Sequence, residues 1–220
     1  MLKEHIDSFY LAKKPFQRKS LYVTDVAACP RAVFYDFKGF PRAPVDPRSS
    51  RVMHNGDFVH ARLAEVLQKV GVLKEEDVEV SLPDNDLVRG RADAIIEVNG
   101  DKVVVDFKSM NGFQFKALSS PSPDHVKQVQ LYLHFLNLKK GLLVYECKNT
   151  QELKEFEVFY DEHVVNESLA FFYSLQSQIN QDVLPDVPLG IEKWKCDRCS
   201  FLADCKKVGN PFYPNEKIKV

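Results

Sequence analysis

The sequence predicts a mixed α/β fold in which helices flank a central sheet. Strand-forming runs occur within 77–109 and 142–160, and amphipathic helical segments precede, separate and follow them. Because a helix connects the two groups of strands, we expect both parallel and antiparallel strand pairs. No apolar run approaches the ~18 residues of a membrane span, and the first residues are charged. We therefore expect a soluble, cytoplasmic protein with no membrane partner.

Three segments are expected along the chain. Residues 1–76 form an N-terminal helical region, 77–181 form the core, and 182–220 form a cysteine segment that packs back on the N-terminal region. The net charge is −1, but residues 1–62 contain eleven Lys and Arg against six Asp and Glu. A basic first third is suited to phosphates, and a solvated basic surface is the alternative.

The individual elements follow from caps, prolines and periodicity. Thr24 is expected to cap a short helix with Cys29-Pro30 in its last turn, and Asn55 to cap a helix over 56–70 after a proline-rich loop at 40–55. A strand is expected at 77–82, a loop at 111–123, and a helix from Pro123 to about Leu138. Strands at 142–148 and 153–160 and a helix at 163–181 complete the core.

Asn99-Gly100 separates two β-rich runs within 88–109, and Asn-Gly favours a type I′ hairpin turn. With these two residues as the loop, paired positions sum to 199, so Asp93 lies opposite Asp106. Their Cβ atoms are then about 5 Å apart on one face. Lys108, two residues beyond Asp106, projects to the same face.

Two neighbouring carboxylates raise each other's pKa unless a cation lies between them. Oxygen ligands at this spacing suit Mg²⁺ or Mn²⁺. Lys108 can hold an attacking water and stabilise charge that develops on phosphorus. The alternative is a structural Asp–Asp–Lys ion network. The acid-x-Lys pattern alone decides little, since it occurs five times; only Asp106-Phe107-Lys108 has an apolar strand before it and a carboxylate opposite.

Several motifs occur in the order found in one nuclease family. They are Gly56-Asp57-Phe58-Val59-His60, Gly90-Arg91-Ala92-Asp93, Asp106-Phe107-Lys108, and Gln128 four residues before Tyr132. With one early and three late cysteines, the chain resembles the RecB-type PD-(D/E)xK nucleases, and within them the iron–sulfur CRISPR-associated exonucleases. The resemblance implies a restriction-endonuclease-like core at 77–181 and a small C-terminal cysteine-rich metal-cluster cap.

The resemblance also implies roles for individual residues. His60, Asp93 and Asp106 would bind the metal, Lys108 would be catalytic, and Gln128 and Tyr132 would face the active site. Glu79 occupies a place where relatives often carry an acidic residue. From the residues alone, His60 can equally be a core histidine, Gln128 and Tyr132 a buried polar pair, and Glu79 a solvated strand residue.

The five cysteines are unevenly distributed. Cys196, Cys199 and Cys205 lie within ten residues, a pattern typical of a metal site in an intracellular protein. Structural zinc and iron–sulfur clusters both prefer four ligands, and Cys29 and Cys147 are the two candidates for the fourth. The resemblance implies Cys29 and a 4Fe–4S cluster, with zinc as the alternative.

The leading functional hypothesis is a Mg²⁺- or Mn²⁺-dependent DNA exonuclease or end-trimming nuclease. By resemblance it would prefer single-stranded DNA or overhangs and act in CRISPR spacer acquisition beside integrase proteins. The alternatives are a catalytically silent DNA-binding scaffold, a zinc-stabilised interaction protein, and a viral or repair nuclease outside CRISPR. DNA contacts are expected from basic residues and nearby aromatic residues, namely Lys13, Lys14, Arg18, Lys19, Arg42, Arg48, Arg51, Lys116, Tyr22, Phe34, Tyr35, Phe113 and Phe115.

Overall fold

The computed structural model describes residues 1–12, 18–82 and 87–214. The chain divides into two compact units. One combines 22–27 with 52–171 and is called the sheet unit; the other combines 1–21, 28–51 and 172–220 and is called the cysteine unit. The expected segment boundaries at 76/77 and 181/182 stay predictions. Lys13 and Lys14, expected to contact DNA, lie outside the described residues.

In the described part of the chain, helices and strands alternate in the mixed order that the sequence predicts. The helices are α1 (Leu2–Leu11), α2 (Pro30–Phe37), α3 (Pro47–Lys69), α4 (Gly112–Ala117), α5 (Pro123–Phe135), α6 (Glu162–Asn180), α7 (Lys193–Asp197) and α8 (Leu202–Lys207). The strands are β1 (Leu21–Tyr22), β2 (Leu73–Ser81), β3 (Val88–Val98), β4 (Asp101–Met110), β5 (Lys140–Cys147) and β6 (Leu153–Phe159). A 3₁₀ helix covers Val23–Ala27.

The strands form one mixed sheet in the order β1-β3-β4-β5-β6, with β2 also paired to β3. The pairs β2–β3, β3–β4 and β5–β6 are antiparallel, whereas β4 and β5 are parallel. Helix α5 connects the parallel pair, because parallel neighbours need a crossover between them. The predicted mixed sheet with flanking helices is therefore confirmed.

Both faces of the β3–β4 hairpin are covered. On one face Ile96, Val103 and Phe107 form a buried cluster, against which Leu63 and Leu67 of α3 pack. On the other face the side chains of Val104 and Val129, the latter on α5, meet at Gly141, where an added Cβ would lie 2.6 Å from Val129 Cγ1. The β3–β4 part of the sheet is consequently held between α3 and α5.

Several expected boundaries are wrong for identifiable reasons. Helix α3 begins at Pro47, not after Asn55, because proline suits the first helical turn and Asp46 accepts a 3.0 Å hydrogen bond from the Ser49 N–H. Cys29-Pro30 likewise starts α2 and does not end a helix. The expected 111–123 loop contains α4, which is capped by Asn111. Val66 and Val70, near the end of α3 and just after it, are exposed.

No helix in the ranges that the structure describes is long and apolar enough to cross a membrane.

Candidate active site

The hairpin has the register that its turn predicts. Asn99 and Gly100 have φ values of 54° and 87°, as a type I′ turn requires. Cross-strand pairs run from Val98–Asp101 to Ala94–Val105, each summing to 199. At the next position Asp93 Oδ2 accepts a 2.7 Å hydrogen bond from the Phe107 backbone N–H. The Asp93 carboxylate is thus fixed beside the strand that carries Asp106 and Lys108.

Asp106 is a buried carboxylate whose side chain is 1% exposed. Its Oδ2 forms an ion pair with Lys108 Nζ at 2.7 Å, and no other donor reaches this oxygen among the described residues. Burial raises the pKa of Asp106 from 3.8 to about 6, an effect that the Lys108 ammonium partly offsets. The site therefore contains a buried carboxylate oxygen that has only Lys108 as a partner.

His60 of α3 faces the same carboxylates. Its Nδ1 lies 3.4 Å from Asp93 Oδ1, and its ring packs 5.9 Å from the Phe107 ring, centroid to centroid. Hydrogen bonding to Asp93 raises the pKa of His60, and partial burial opposes the rise. Because Nδ1 faces Asp93, Nε2 is the nitrogen left for a metal ion. His60 thus lies beside the Asp–Asp–Lys group, although its role stays a prediction.

Gln128 and Tyr132 connect α5 to the strands through hydrogen bonds with one consistent direction. The Tyr132 hydroxyl donates to the Arg91 carbonyl at 2.9 Å, so its oxygen accepts from Gln128 Nε2 at 2.8 Å. The Gln128 amide orientation is then set, and its Oε1 accepts from Lys108 Nζ at 3.1 Å. Both residues are buried, and Gln128 contacts the lysine directly.

Gly90 explains why the strand approaches α5 so closely. A Cβ at this position would lie 2.7 Å from Val23 Cγ2 and 3.1 Å from Tyr132 Cε1. Only glycine leaves room for the tyrosine ring, whose hydroxyl then reaches the neighbouring carbonyl of Arg91.

These side chains line one cavity of about 900 Å³ in the sheet unit. It brings together Glu79, His60, Asp93, Asp106, Lys108, Gln128 and Tyr132. Sequence reasoning missed five polar residues of its lining, namely Thr24, Asp57, Ser81, Arg89 and Arg91. Asp57 precedes His60 by three residues, and this one-turn spacing on a helix could have indicated it. The two arginines add positive charge to the lining that the hairpin pattern does not reveal, and Arg91 also pairs with Asp77 at 3.2 Å.

The donor set suits a hard divalent cation, since it combines two carboxylates with an imidazole. Asp106 Oδ2 is buried with only Lys108 beside it, so a metal cation would compensate carboxylate charge that the lysine alone now balances. In the described part of the chain, however, no three His, Cys, Asp or Glu side chains converge as a metal site would require. The residues fit a divalent metal by chemistry and proximity, while His60 and Asp93 contact each other.

Cys29, Cys196, Cys199 and Cys205 lie in the cysteine unit, where charges on Cys29, Cys196 and Cys205 each act on at least one of the other thiols, although among the described residues no three of them converge as around a bound metal. All are free thiols. Burial is the main cause that raises the pKa values of Cys29, Cys196 and Cys199. Cys147 lies on β5 of the sheet unit, where a hydrogen bond with Thr150 is the main cause that lowers its pKa. Cys29 therefore accompanies the late cysteines, and Cys147 does not.

The expected DNA-contact residues fall into two groups. Three of the expected stacking residues are buried and therefore belong to the core, namely Phe34, Tyr35 and Phe115. Their rings are not available to stack on DNA bases. Phe113 is 85% exposed, and Tyr22 lines the cavity.

Three arginines of the cysteine unit are engaged with carboxylates. Arg42 makes a two-pronged ion pair with Asp36 at 2.6 Å, and Arg18 binds the same carboxylate at 2.7 Å. Arg51 pairs with Asp7. Phosphate contacts by these residues stay predictions.

The chain is 28% identical, over 199 residues, to the CRISPR-associated exonuclease Cas4 of Saccharolobus solfataricus, covering 86% of this chain and 88% of that protein. The crystal structure of SSO0001 matches 96% of this chain and 98% of its own, at 25% identity and a TM-score of 0.64. The chain resembles the Cas4-type exonucleases. This confirms the resemblance inferred from its motifs.

A second solved structure extends the comparison of folds. The alkaline exonuclease of Laribacter hongkongensis is 12% identical, with a TM-score of 0.55 over 82% of this chain and 94% of that one. At this identity the likeness concerns the fold alone. No family model matches the chain.

Proposed function

We propose that this protein is a metal-dependent DNA exonuclease that hydrolyses phosphodiester bonds. The observation that carries the proposal is the cavity in which the buried Asp106 carboxylate, Asp93 and Lys108 lie together, with Lys108 Nζ 2.7 Å from Asp106 Oδ2. Lys108 supplies one positive charge for two carboxylates, and both face a cavity that a phosphate and a metal ion could enter. The similarity to a protein named an exonuclease supports the same conclusion.

Each residue has a distinct part in the proposed reaction. Lys108 holds the attacking water and stabilises the negative charge that develops on the phosphate oxygens. Water adds to phosphorus, the ester P–O bond breaks, and the leaving oxygen receives a proton. Gln128 positions Lys108, because its amide oxygen is fixed by the hydrogen bond from its nitrogen to Tyr132.

Mg²⁺ or Mn²⁺, held by Asp93, Asp106 and Nε2 of His60, would neutralise the scissile phosphate and lower the pKa of water. Arg89 and Arg91 in the cavity lining can hold neighbouring phosphates of the strand. Such contacts follow the backbone without reading bases, as end-trimming requires.

The finer part of the proposal concerns substrate and context. We infer a preference for single-stranded DNA or overhangs, a role in CRISPR spacer acquisition, and integrase proteins as partners. We also infer that Cys29, Cys196, Cys199 and Cys205 hold a 4Fe–4S cluster, with zinc as the alternative. The proximity of four thiols in one unit and the similarity to Cas4 support these inferences.

The test uses anaerobically purified protein with end-labelled single- and double-stranded DNA, in Mg²⁺, Mn²⁺ or EDTA. Lys108→Ala removes the proposed catalytic group. Lys102→Ala is the matched control, because Lys102 lies on the same strand and pairs with Glu75 at the exposed end of the hairpin. The wild type and the Lys102 variant should shorten DNA with metal and not in EDTA, and the Lys108 variant should lose at least ~100-fold in rate.

Wild-type protein that binds DNA and leaves it intact in both metals would support the scaffold alternative. Equal cleavage by the two lysine variants would show that Lys108 has no catalytic role.

A further inference from the structure

Three buried polar side chains lie in the cysteine unit, two of them hydrogen-bonded to Cys205, and they have no role in the proposed nuclease reaction. Arg31, Tyr35 and Asn210 are 7%, 3% and 3% exposed. Buried polar groups normally bind partners that compensate for the loss of water. Their partners therefore indicate what this part of the cysteine unit is built to hold.

Arg31 is a buried cation without a buried carboxylate as its partner among the described residues. Its Nε donates to the Pro185 carbonyl at 2.7 Å, and its Nη1 to the Gly209 carbonyl at 2.6 Å. Asp186 lies 3.7 Å from Nη2 but is fully exposed, so solvent screens this pair. Nη1 also donates to Cys205 Sγ at 3.5 Å, so this sulfur is one of three acceptors around the buried charge and the only one of them that can ionise.

Asn210 presents a second donor to the same sulfur. Its Oδ1 accepts from the Phe212 backbone N–H at 2.9 Å, which fixes the orientation of the amide. Nδ2 consequently faces Cys205 Sγ at 3.3 Å. Two N–H donors on one thiol exceed what a neutral, weakly accepting S–H group needs.

Tyr35 supplies a donor that has nothing to bind. Its hydroxyl is buried and has no hydrogen-bond partner among the described residues. The ring is held between Phe40 and Phe201, with centroids 4.6 Å and 5.9 Å away. The Phe201 backbone N–H in turn donates to Cys199 Sγ at 3.4 Å, so the ring that carries the unpartnered hydroxyl packs against a residue bonded to the cysteine group.

We propose that Arg31, Asn210 and Tyr35 form a hydrogen-bond shell that stabilises a negatively charged, thiolate-ligated metal centre, with Cys205 as its most strongly hydrogen-bonded ligand. The inference rests on the proposed cysteine cofactor. Four thiolates outweigh the charge of either a zinc ion or a 4Fe–4S core, so a buried guanidinium and two neutral donors suit both. The shell is expected to slow metal loss and, for iron, to raise the reduction potential.

Tyr35→Phe is the sharpest variant, because it removes only the unpartnered hydroxyl. Tyr173→Phe is its matched control, an exposed tyrosine of the same unit. Iron, sulfide and zinc are first measured in all proteins. Metal release to a chelator is then timed, and thermal unfolding is measured after the metal has been removed.

Tyr35→Phe should weaken metal retention in the metal-loaded protein and should not weaken the fold of the metal-free protein. The metal-loaded variant should lose metal roughly three- to tenfold faster than wild type, as expected for one lost hydrogen bond. The metal-free variant should be at least as stable as metal-free wild type, because an unsatisfied buried group has gone. The control should match wild type in both states. Release at the wild-type rate would overturn the role of Tyr35.

Asn210→Asp tests the shell without removing the acceptor for Phe212. It places an oxygen where Nδ2 faces Cys205, so metal loss should be faster still and an iron centre should have a more negative midpoint potential. Unchanged release and potential in both variants of a loaded protein would overturn the shell alone. Wild-type protein that contains neither iron nor zinc would overturn the cofactor proposal and the shell together, while DNA cleavage would still be tested separately.

Discussion

The buried carboxylate of Asp106 predicts a variant that is more stable than wild type without metal. Asp106→Asn keeps the shape and removes the charge. In the folded, metal-free protein the pKa of Asp106 is raised from 3.8 to about 6. Since a tenfold change in an acid dissociation constant corresponds to about 1.4 kcal/mol, the ionised side chain destabilises the fold by up to ~3 kcal/mol. The attraction of Lys108 is already included in that pKa.

The pH dependence has a definite sign. Below the unfolded pKa of 3.8 the carboxyl group is protonated in both states and does not lower the free energy of unfolding. As the pH rises, ionisation lowers the free energy of unfolding increasingly, until the pH passes the folded pKa of about 6. The gain from Asp106→Asn should therefore be largest at pH 8 and smaller by ~1–2 kcal/mol at pH 5. With about 2–4 °C per kcal/mol for a chain of this size, the unfolding temperature should rise by roughly 3–10 °C at pH 8.

The assay is thermal unfolding by circular dichroism in EDTA at both pH values, with Asp101→Asn as control. Asp101 is exposed at the start of the same strand, so this change should have almost no effect. Mn²⁺ should stabilise the wild type and not Asp106→Asn, because the variant lacks a ligand. A lower unfolding temperature for Asp106→Asn in EDTA at pH 8, or a gain independent of pH, would refute this reasoning.

Two further predictions concern residues around the same cavity. Gly90→Ala should lower the free energy of unfolding by ~1–3 kcal/mol and also reduce DNA cleavage, because the new Cβ would displace Val23 or the Tyr132 ring. Denaturant unfolding measures the first effect. A stability equal to that of wild type would contradict it. The pKa of His60, followed by NMR without metal, should lie above its ordinary value of 6.5 because of Asp93, and the protonated form should stabilise the fold below that pKa. Saturating Mg²⁺ should lower this pKa by displacing the proton, and an unchanged titration would show that His60 is not a ligand.

Local chemistry explains why the hairpin could be predicted from the sequence. An Asn-Gly turn needs two residues with positive φ, and its length determines every pair above it. The observed pairs from Val98–Asp101 to Ala94–Val105 follow from that count, whereas the backbone pairing ends before the expected Asp93–Asp106 pair. The register needed no knowledge of the rest of the chain.

The errors arose where one residue type has two structural uses. Pro47 and Pro30 suggested a loop and a helix end, yet proline also starts helices, and each occupies a first helical turn. Helix α4 has only six residues, and Asn111 at its cap is also typical of turns. Such choices are decided by packing against distant residues, which periodicity does not contain.

The same limit applied to the cavity. In the sequence, Arg89 and Arg91 are indistinguishable from ordinary polar residues of a strand. They line the cavity because β3, paired with β2, places them there. The sequence motif alone does not explain why position 90 must be glycine. The structure explains it, because the Tyr132 ring, on a helix about 40 residues later, leaves no room for a Cβ there.

A series of contacts links motifs that lie far apart in the chain and makes them interdependent. It runs from Gly90 through Tyr132 and Gln128 to Lys108. Glycine lets the ring approach the strand, the hydroxyl then binds the Arg91 carbonyl, and the remaining lone pairs orient Gln128. Gln128 in turn leaves one acceptor for the lysine. Since each contact sets the direction of the next, a change at either end should alter the position of Nζ beside Asp106. The lysine is thus oriented by a strand glycine that does not contact it.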